Sequence, residues 1–444
     1  MHLWTALLAV PSAHAFNPLV QRQGPNPPPF FDWYAIGRIL DVSHPSPPGT
    51  IIVNPGGPGG AGTQFILGNG PSLATLFGPS FDVLVFDPRG TGASTPLARC
   101  FSSPQESDSW HLADVKILRS HDGSIPEARS RDRTLSAVCQ SALGGNGEEK
   151  PGASADQWGI GRFVDSASVA TDMLRIVEKL GQEKLQYYGL SYGTLLGQYF
   201  AAIYPDKVGR MILDGVVDGV SWQSGTYFDS IKDADGVMDA FFANCVKAGA
   251  SKCAIWEQSA DAVSRRLDRI LAAVRRDPLP VPDGLGGPTV VTEDAVLGPI
   301  MSRLRITCGA WKIRAKARFT RPVSAKLDAP VLVLSSAVDP VTPLSAARAV
   351  VSRFQGMHLL EQNSVSRNCP SLKSSCFDKL KPLGNIASNG EQCAHHNLPL
   401  DYSSPGPRLR LHRARFRLME NSHWRGQKRP KFCTEPPELC RRGE

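Results

Sequence analysis

The residues best suited to covalent chemistry form a short run, Gly189-Leu190-Ser191-Tyr192-Gly193. A serine hydroxyl becomes a useful nucleophile when a sharp strand-to-helix turn lifts it clear of the chain, near the positive end of the helix. Glycines on both flanks remove the side chains that would clash in such a turn. The chemistry this predicts is acyl transfer through Ser191; the alternative is a serine in an ordinary strand–helix turn. A second run, Asn54-Pro55-Gly56-Gly57-Pro58-Gly59-Gly60, suits the other half of the reaction. Acyl transfer places negative charge on an oxygen, and glycines let main-chain N–H groups come close to it. One donor is expected from Gly57 (or its neighbour Gly56) and the other from Tyr192, each worth roughly 3–4 kcal/mol in the transition state. A phosphate cradle would need a Gly-Lys-Ser/Thr ending, which this loop lacks.

The same chemistry asks for an acid and a histidine. Asp339, in Ser335-Ser336-Ala337-Val338-Asp339-Pro340-Val341-Thr342-Pro343, is the natural acid, placed to fix the tautomer of an imidazole. Its alternative role is a helix-cap or turn aspartate. The histidine is expected just after the last strand, near 363–370. That stretch reads Asn363-Ser364-Val365-Ser366-Arg367-Asn368-Cys369-Pro370 and contains none. His358 falls earlier and is expected to be packed within the strand. His395 and His396 come later, and His412 and His423 sit in a basic tail. The catalytic histidine is thus unidentified, and deleting that base from a serine protease costs on the order of a millionfold in turnover.

Positioning these groups requires a sheet. Short apolar runs at 49–54 (GTIIVN), 81–87 (FDVLVFD), 185–189 (LQYYG), 211–213 (MIL), 330–335 (PVLVLS) and 357–361 (MHLLE) read as strands. Residues 165–181 place Val169, Met173, Ile176, Val177 and Leu180 on one helical face, and 194–203 reads as a helix ended by Tyr204-Pro205. Apolar strands alternating with helices imply a mostly parallel sheet covered on both faces. Residues 16–48 are rich in Pro and Gly and read as an extended lead-in. The helical, charged stretch 220–328 reads as an insertion forming a cap. The expected organisation is 1–15 as a signal segment, 16–219 and 329–364 as core, 220–328 as cap, and 365–444 as a tail that packs poorly.

Bulk properties set the outer limits. The 444 residues carry a net charge of +8, and residues 365–444 hold 15 Lys+Arg against 7 Asp+Glu, so the rest is neutral. No nucleic-acid motif accompanies the basic tail, and no nucleic-acid partner is expected. No run of 18 apolar residues exists, so no membrane span is expected. Leu3–Val10 followed by Ala13-His14-Ala15 resembles a short secretory signal cut after Ala15, although a positively charged start is missing. Ten cysteines fit an oxidising compartment, with Cys100–Cys139 and Cys245–Cys253 as plausible bridges. Their spacing matches no zinc signature, and no metal or cofactor is expected.

Taken together the motifs resemble the tripeptidyl-aminopeptidase-like group of serine peptidases, related to prolyl aminopeptidases, with an α/β-hydrolase fold. The resemblance covers residues 50–65, 81–101, 160–245 and 329–363. It is carried by NPGGPGGAG (54–62), FDPRGTGASTPLARC (86–100), YYGLSYGT (187–194), ILDGVVD (212–218) and APVLVLSSAVDPVTP (329–343). It implies a secreted exopeptidase that releases short peptides from free N-termini. The chain departs from the group in a shorter cap and in Val365-Ser366-Arg367, where the group has Gly-His. Beyond Ser364 the resemblance is expected to stop. Two other readings stay open: an esterase-type hydrolase, and a catalytically impaired protein of the same fold.

Overall fold

The computed structural model describes residues 36–39, 49–78, 81–113, 123–144, 159–225, 232–284, 287–300, 315 and 319–365. In chain order the elements are β1 (Ile36–Ile39), β2 (Thr50–Asn54), α1 (Gly62–Phe77), β3 (Asp82–Phe86), α2 (Pro104–Leu112), α3 (Ser124–Leu143), α4 (Ser166–Lys179), β4 (Leu185–Leu190), α5 (Tyr192–Ile203) and β5 (Val208–Asp214). There follow α6 (Gly219–Ser224), α7 (Ala234–Ala248), α8 (Ala260–Arg276), β6 (Leu279–Val281), β7 (Thr289–Val291), α9 (Glu293–Ile300), β8 (Ala325–Val338), α10 (Leu344–Arg353) and β9 (Phe354–Val365).

All six expected strands lie in one sheet of order β1-β3-β2-β4-β5-β8-β9. β3, β2, β4, β5, β8 and β9 run parallel, and β1 closes one edge antiparallel to β3. β1 lies inside what reads as an extended lead-in; two isoleucines in four residues are too short a pattern to stand out. Because alternate residues face opposite sides, each strand feeds two cores. Ile52, Leu84, Phe86, Tyr187, Met211 and Val333 pack with α4, α5 and α10. Ile51, Val53, Val83, Val85, Tyr188 and Ile212 pack with α1. Burial on both faces explains the continuous apolar runs.

The amphipathic face expected in 165–181 is realised in α4, where Val169, Met173, Ile176 and Val177 are buried. Asp165 caps it, accepting the Ser168 N–H (2.9 Å). α5 starts at Tyr192, two residues before the periodicity suggests, so Ser191 is its N-cap. Both expected disulfides, Cys100–Cys139 and Cys245–Cys253, are present. A buried Arg89–Asp172 pair ties the loop after β3 to α4, with Arg89 Nη2 donating to Asp172 Oδ1 (2.7 Å). Helices α6–α9 and the β6–β7 hairpin occupy the chain between β5 and β8. The segment at 1–15 and residues 366–444 lie outside the described residues.

Candidate active site

β4 passes into α5 with Ser191 as the sole connecting residue, so this residue alone turns the chain. It does so at φ 53°, ψ −121°, and among the described residues no other non-glycine has a positive φ. Such a conformation costs about 1–3 kcal/mol and persists only where the surroundings over-determine it. The Ser191 N–H donates to Asp214 O of β5 (3.0 Å). Its carbonyl accepts from the Thr194 N–H (2.9 Å) and the Thr194 hydroxyl (2.6 Å). The buried Tyr187 hydroxyl donates to Gly193 O (2.8 Å). A Cβ on Gly189 would lie 2.5 Å from Gly193 O, and one on Gly193 would lie 2.5 Å from Asn54 O. The flanking glycines are therefore required by backbone contact. Ser191 itself is half-buried.

The glycine-rich loop at 55–61 is held at both ends. Asn54 Oδ1, at the end of β2, accepts the Gly56 N–H (2.9 Å). Beyond the loop, Asp87 Oδ1 accepts the Thr63 N–H (2.8 Å) in the first turn of α1. Between them Gly56 (φ 90°) presses against the turn: a Cβ there would lie 2.5 Å from Leu190 O and 2.9 Å from Tyr192 N. The sequence left Gly56 and Gly57 as alternative donors. The Gly56 N–H is engaged by Asn54 Oδ1. Tyr192 is the first residue of α5, and its N–H has no acceptor within the helix. Its side chain turns away, with the hydroxyl 2.7 Å from Ser166 Oγ and the ring 5.5 Å from that of Trp222. Burial pushes the Tyr192 phenol up to about 12, against a smaller opposing effect of the Ser166 hydrogen bond.

Asp339 immediately follows β8 and is fully buried. Its Oδ1 accepts the N–H groups of Val341 (2.9 Å) and Thr342 (2.8 Å), and its Oδ2 accepts the Thr342 hydroxyl (2.8 Å). The alternative role, a turn aspartate, is thus one this carboxylate fills. Leu190 registers with Asp214, and Asp214 with Leu334, so Ser191 and Asp339 both leave the carboxyl edge of the sheet. Two strand spacings, about 10 Å, separate their strands. β9 also ends on this edge, with Val365 in register with Val338.

Only two histidines fall within the described residues. His111 lies on α2, its Nδ1 2.6 Å from Ser107 O. His358 lies within β9 as expected, but its side chain is exposed and not packed, because β9 is the edge strand. Through Leu332 and Ile212 it registers with Tyr188, three strands and about 14 Å away from β4. It cannot hydrogen-bond Ser191 from there. His395, His396, His412 and His423 lie outside the described residues. Among the described residues no cluster of His, Cys, Asp and Glu could hold a metal, and no helix is long and apolar enough to cross a membrane. An open cavity of about 600 Å³, lined by Gly49, Thr50, Asp82, Gln182, Gln186 and Arg210, lies at the opposite, amino-terminal edge of the strands. In parallel sheets ligands bind outside the carboxyl ends.

Comparison with known proteins agrees with this geometry. Residues 49–244 match the alpha/beta hydrolase fold family, and residues 294–381 match the family described as TAP-like protein. The second match runs past Ser364, so the likeness does not stop where the motifs suggest. The chain is 32% identical to serine protease Hip1 of Mycobacterium tuberculosis over 203 residues, 45% of this chain and 35% of that protein. It is 33% identical to the tripeptidyl aminopeptidase of Streptomyces lividans over 172 residues, 38% of this chain and 29% of that protein. It is also 30% identical to a carboxylesterase B of Mycobacterium tuberculosis over 224 residues, 49% of this chain and 38% of that protein. The chain thus matches about a third of the length of these curated relatives. With the strand order, the strained turn at Ser191 and both family segments in sequence, the chain has the α/β-hydrolase fold and resembles the tripeptidyl-aminopeptidase-like serine peptidases.

Proposed function

We propose that the protein is a secreted serine hydrolase of peptidase type, releasing short peptides from free N-termini through an acyl-enzyme on Ser191. The hydroxyl of Ser191 attacks the scissile carbonyl. The N–H groups of Gly57 and Tyr192 hold the oxygen as it becomes negative. A histidine accepts the hydroxyl proton and returns it to the leaving amine, and water then releases the acyl group. Asp339 orients that histidine. The histidine that would supply the imidazole is unidentified, and His358 lies too far along the sheet to do so. The observation that carries this reading is the φ of 53° at Ser191, the half-buried residue that turns the chain from β4 into α5. Two disulfides suit an oxidising compartment.

A second reading has its own support. Positions 363–370 contain no histidine, which favours a protein of this fold that binds an acyl or peptide ligand without turning it over. Likeness to a carboxylesterase keeps simple esters among the substrates. The test is a panel of peptides with free and blocked N-termini beside p-nitrophenyl esters, each with wild type and Ser191→Ala. The proposal expects Ser191-dependent release of N-terminal fragments from the free peptides. Equal cleavage of blocked peptides, or ester cleavage alone, contradicts the aminopeptidase part.

A further inference from the structure

α7 begins the larger helical pair between β5 and β8, and Asp233 stands at its N-cap. A carboxylate at an N-cap ordinarily accepts an N–H from its own first turn. Asp165, Asp218 and Ser259 do this for α4, α6 and α8. Asp233 does not; its side chain makes no capping bond. Instead its Oδ2 accepts the backbone N–H of Asp339 (3.2 Å), 106 residues away in sequence. The contact is backed by close packing: a Cβ on Gly236, one turn into α7, would lie 3.4 Å from Val338 Cγ1, in the residue just before Asp339. The start of α7 is therefore docked on the end of β8 at the point where the chain turns to present the Asp339 carboxylate.

We infer that Asp233 is a positioning residue, tying the cap to the loop that holds Asp339 so that the acid's backbone is fixed from outside its own turn. The internal bonds of that turn, from Val341 and Thr342, set the carboxylate relative to residues 341–342. They do not set the turn relative to the rest of the site. The bond from Asp233 does, and it makes the acid's placement depend on how α7 sits. The role rests on the serine-hydrolase reading of the same site, but the tether itself can be measured without activity.

The experiment compares wild type, Asp233→Ala and Asp233→Asn in the full-length chain. Amide hydrogen exchange of peptides covering 335–343 reads the tether, with peptides from β4 and β5 as the control for folding. The rate of fluorophosphonate labelling of Ser191 reads its consequence. In Asp233→Ala, exchange at Asp339 should rise and labelling should slow, each by about tenfold, the scale of one lost hydrogen bond. Asp233→Asn keeps an oxygen at the same place and should recover most of both. Unchanged exchange in Asp233→Ala overturns the tether. Faster exchange with unchanged labelling overturns the positioning role. Asp233→Asn as slow as Asp233→Ala also overturns it, because the charge and not the acceptor would then matter. Folded wild type that takes no probe contradicts the serine-hydrolase reading instead, while the exchange arm still decides the tether.

Discussion

The packing of Gly56 against the turn at Ser191 makes Gly56→Ala a sharp test of how the two halves of the site meet. A methyl group at Gly56 would lie 2.5 Å from Leu190 O and 2.9 Å from Tyr192 N, whereas ordinary contact begins at 3.4 Å. Both neighbours are backbone and cannot rotate aside, so the loop must withdraw by about 1 Å, and a misplacement of that size costs about 100-fold in rate. The Gly57 N–H moves with it. Backbone strain must be separated from this displacement, since Gly56 has φ 90° and any L-residue there is disfavoured by about 1–2 kcal/mol. Gly59 supplies the control: its φ is 93°, but a Cβ there meets nothing within 4 Å. Gly59→Ala therefore carries similar strain without the clash. Fluorophosphonate labelling rates and thermal melts of both variants should show similar melting temperatures for the two and a labelling rate about 100-fold lower for Gly56→Ala alone. Equal labelling of the two variants would refute the reasoning.

Two further outcomes follow from buried charge and from Tyr192. Asp172→Ala should destabilise the fold by about 3–5 kcal/mol in urea melts, because Arg89 would be left buried without its carboxylate, while Arg89→Met with Asp172→Leu should restore most of the loss. For Tyr192, whose phenol is raised from 10.0 to about 12, folded and unfolded chains both hold the proton below pH 10. Between pH 10 and 12 the unfolded chain releases it first, so stability should fall there by about 1.4 kcal/mol per pH unit from this group. Urea melts across that range should show a slope shallower by about one proton in Tyr192→Phe, and an unchanged slope would contradict the burial of the ring.

Much of the fold was legible because its strands are buried on both faces. Runs such as Ile51-Ile52-Val53 and Val83-Leu84-Val85-Phe86 have no polar interruption, and glycine or proline punctuates their ends. β1 was not legible, since an antiparallel edge strand of four residues carries no such run. β8 starts five residues before the apolar stretch at 330, through a bulge between Lys326 and Val331 that breaks the alternation. At the site, Ser191 and the loop at 54–60 announced themselves because strained turns demand glycine at fixed offsets. The engagement of the Gly56 N–H did not, because it depends on where the Asn54 side chain points. Asp233 was invisible for a related reason: an aspartate before a helix reads as a local cap, and only the packed structure sends it to Asp339.

The central claim is that Ser191 is an activated nucleophile, and fluorophosphonate labelling of the folded full-length chain tests it most directly. The account predicts covalent labelling of wild type, mapped by mass spectrometry to the peptide carrying Ser191 and absent in Ser191→Ala. Folded wild type that takes up no probe, or a Ser191→Ala variant labelled as fast as wild type, would contradict it.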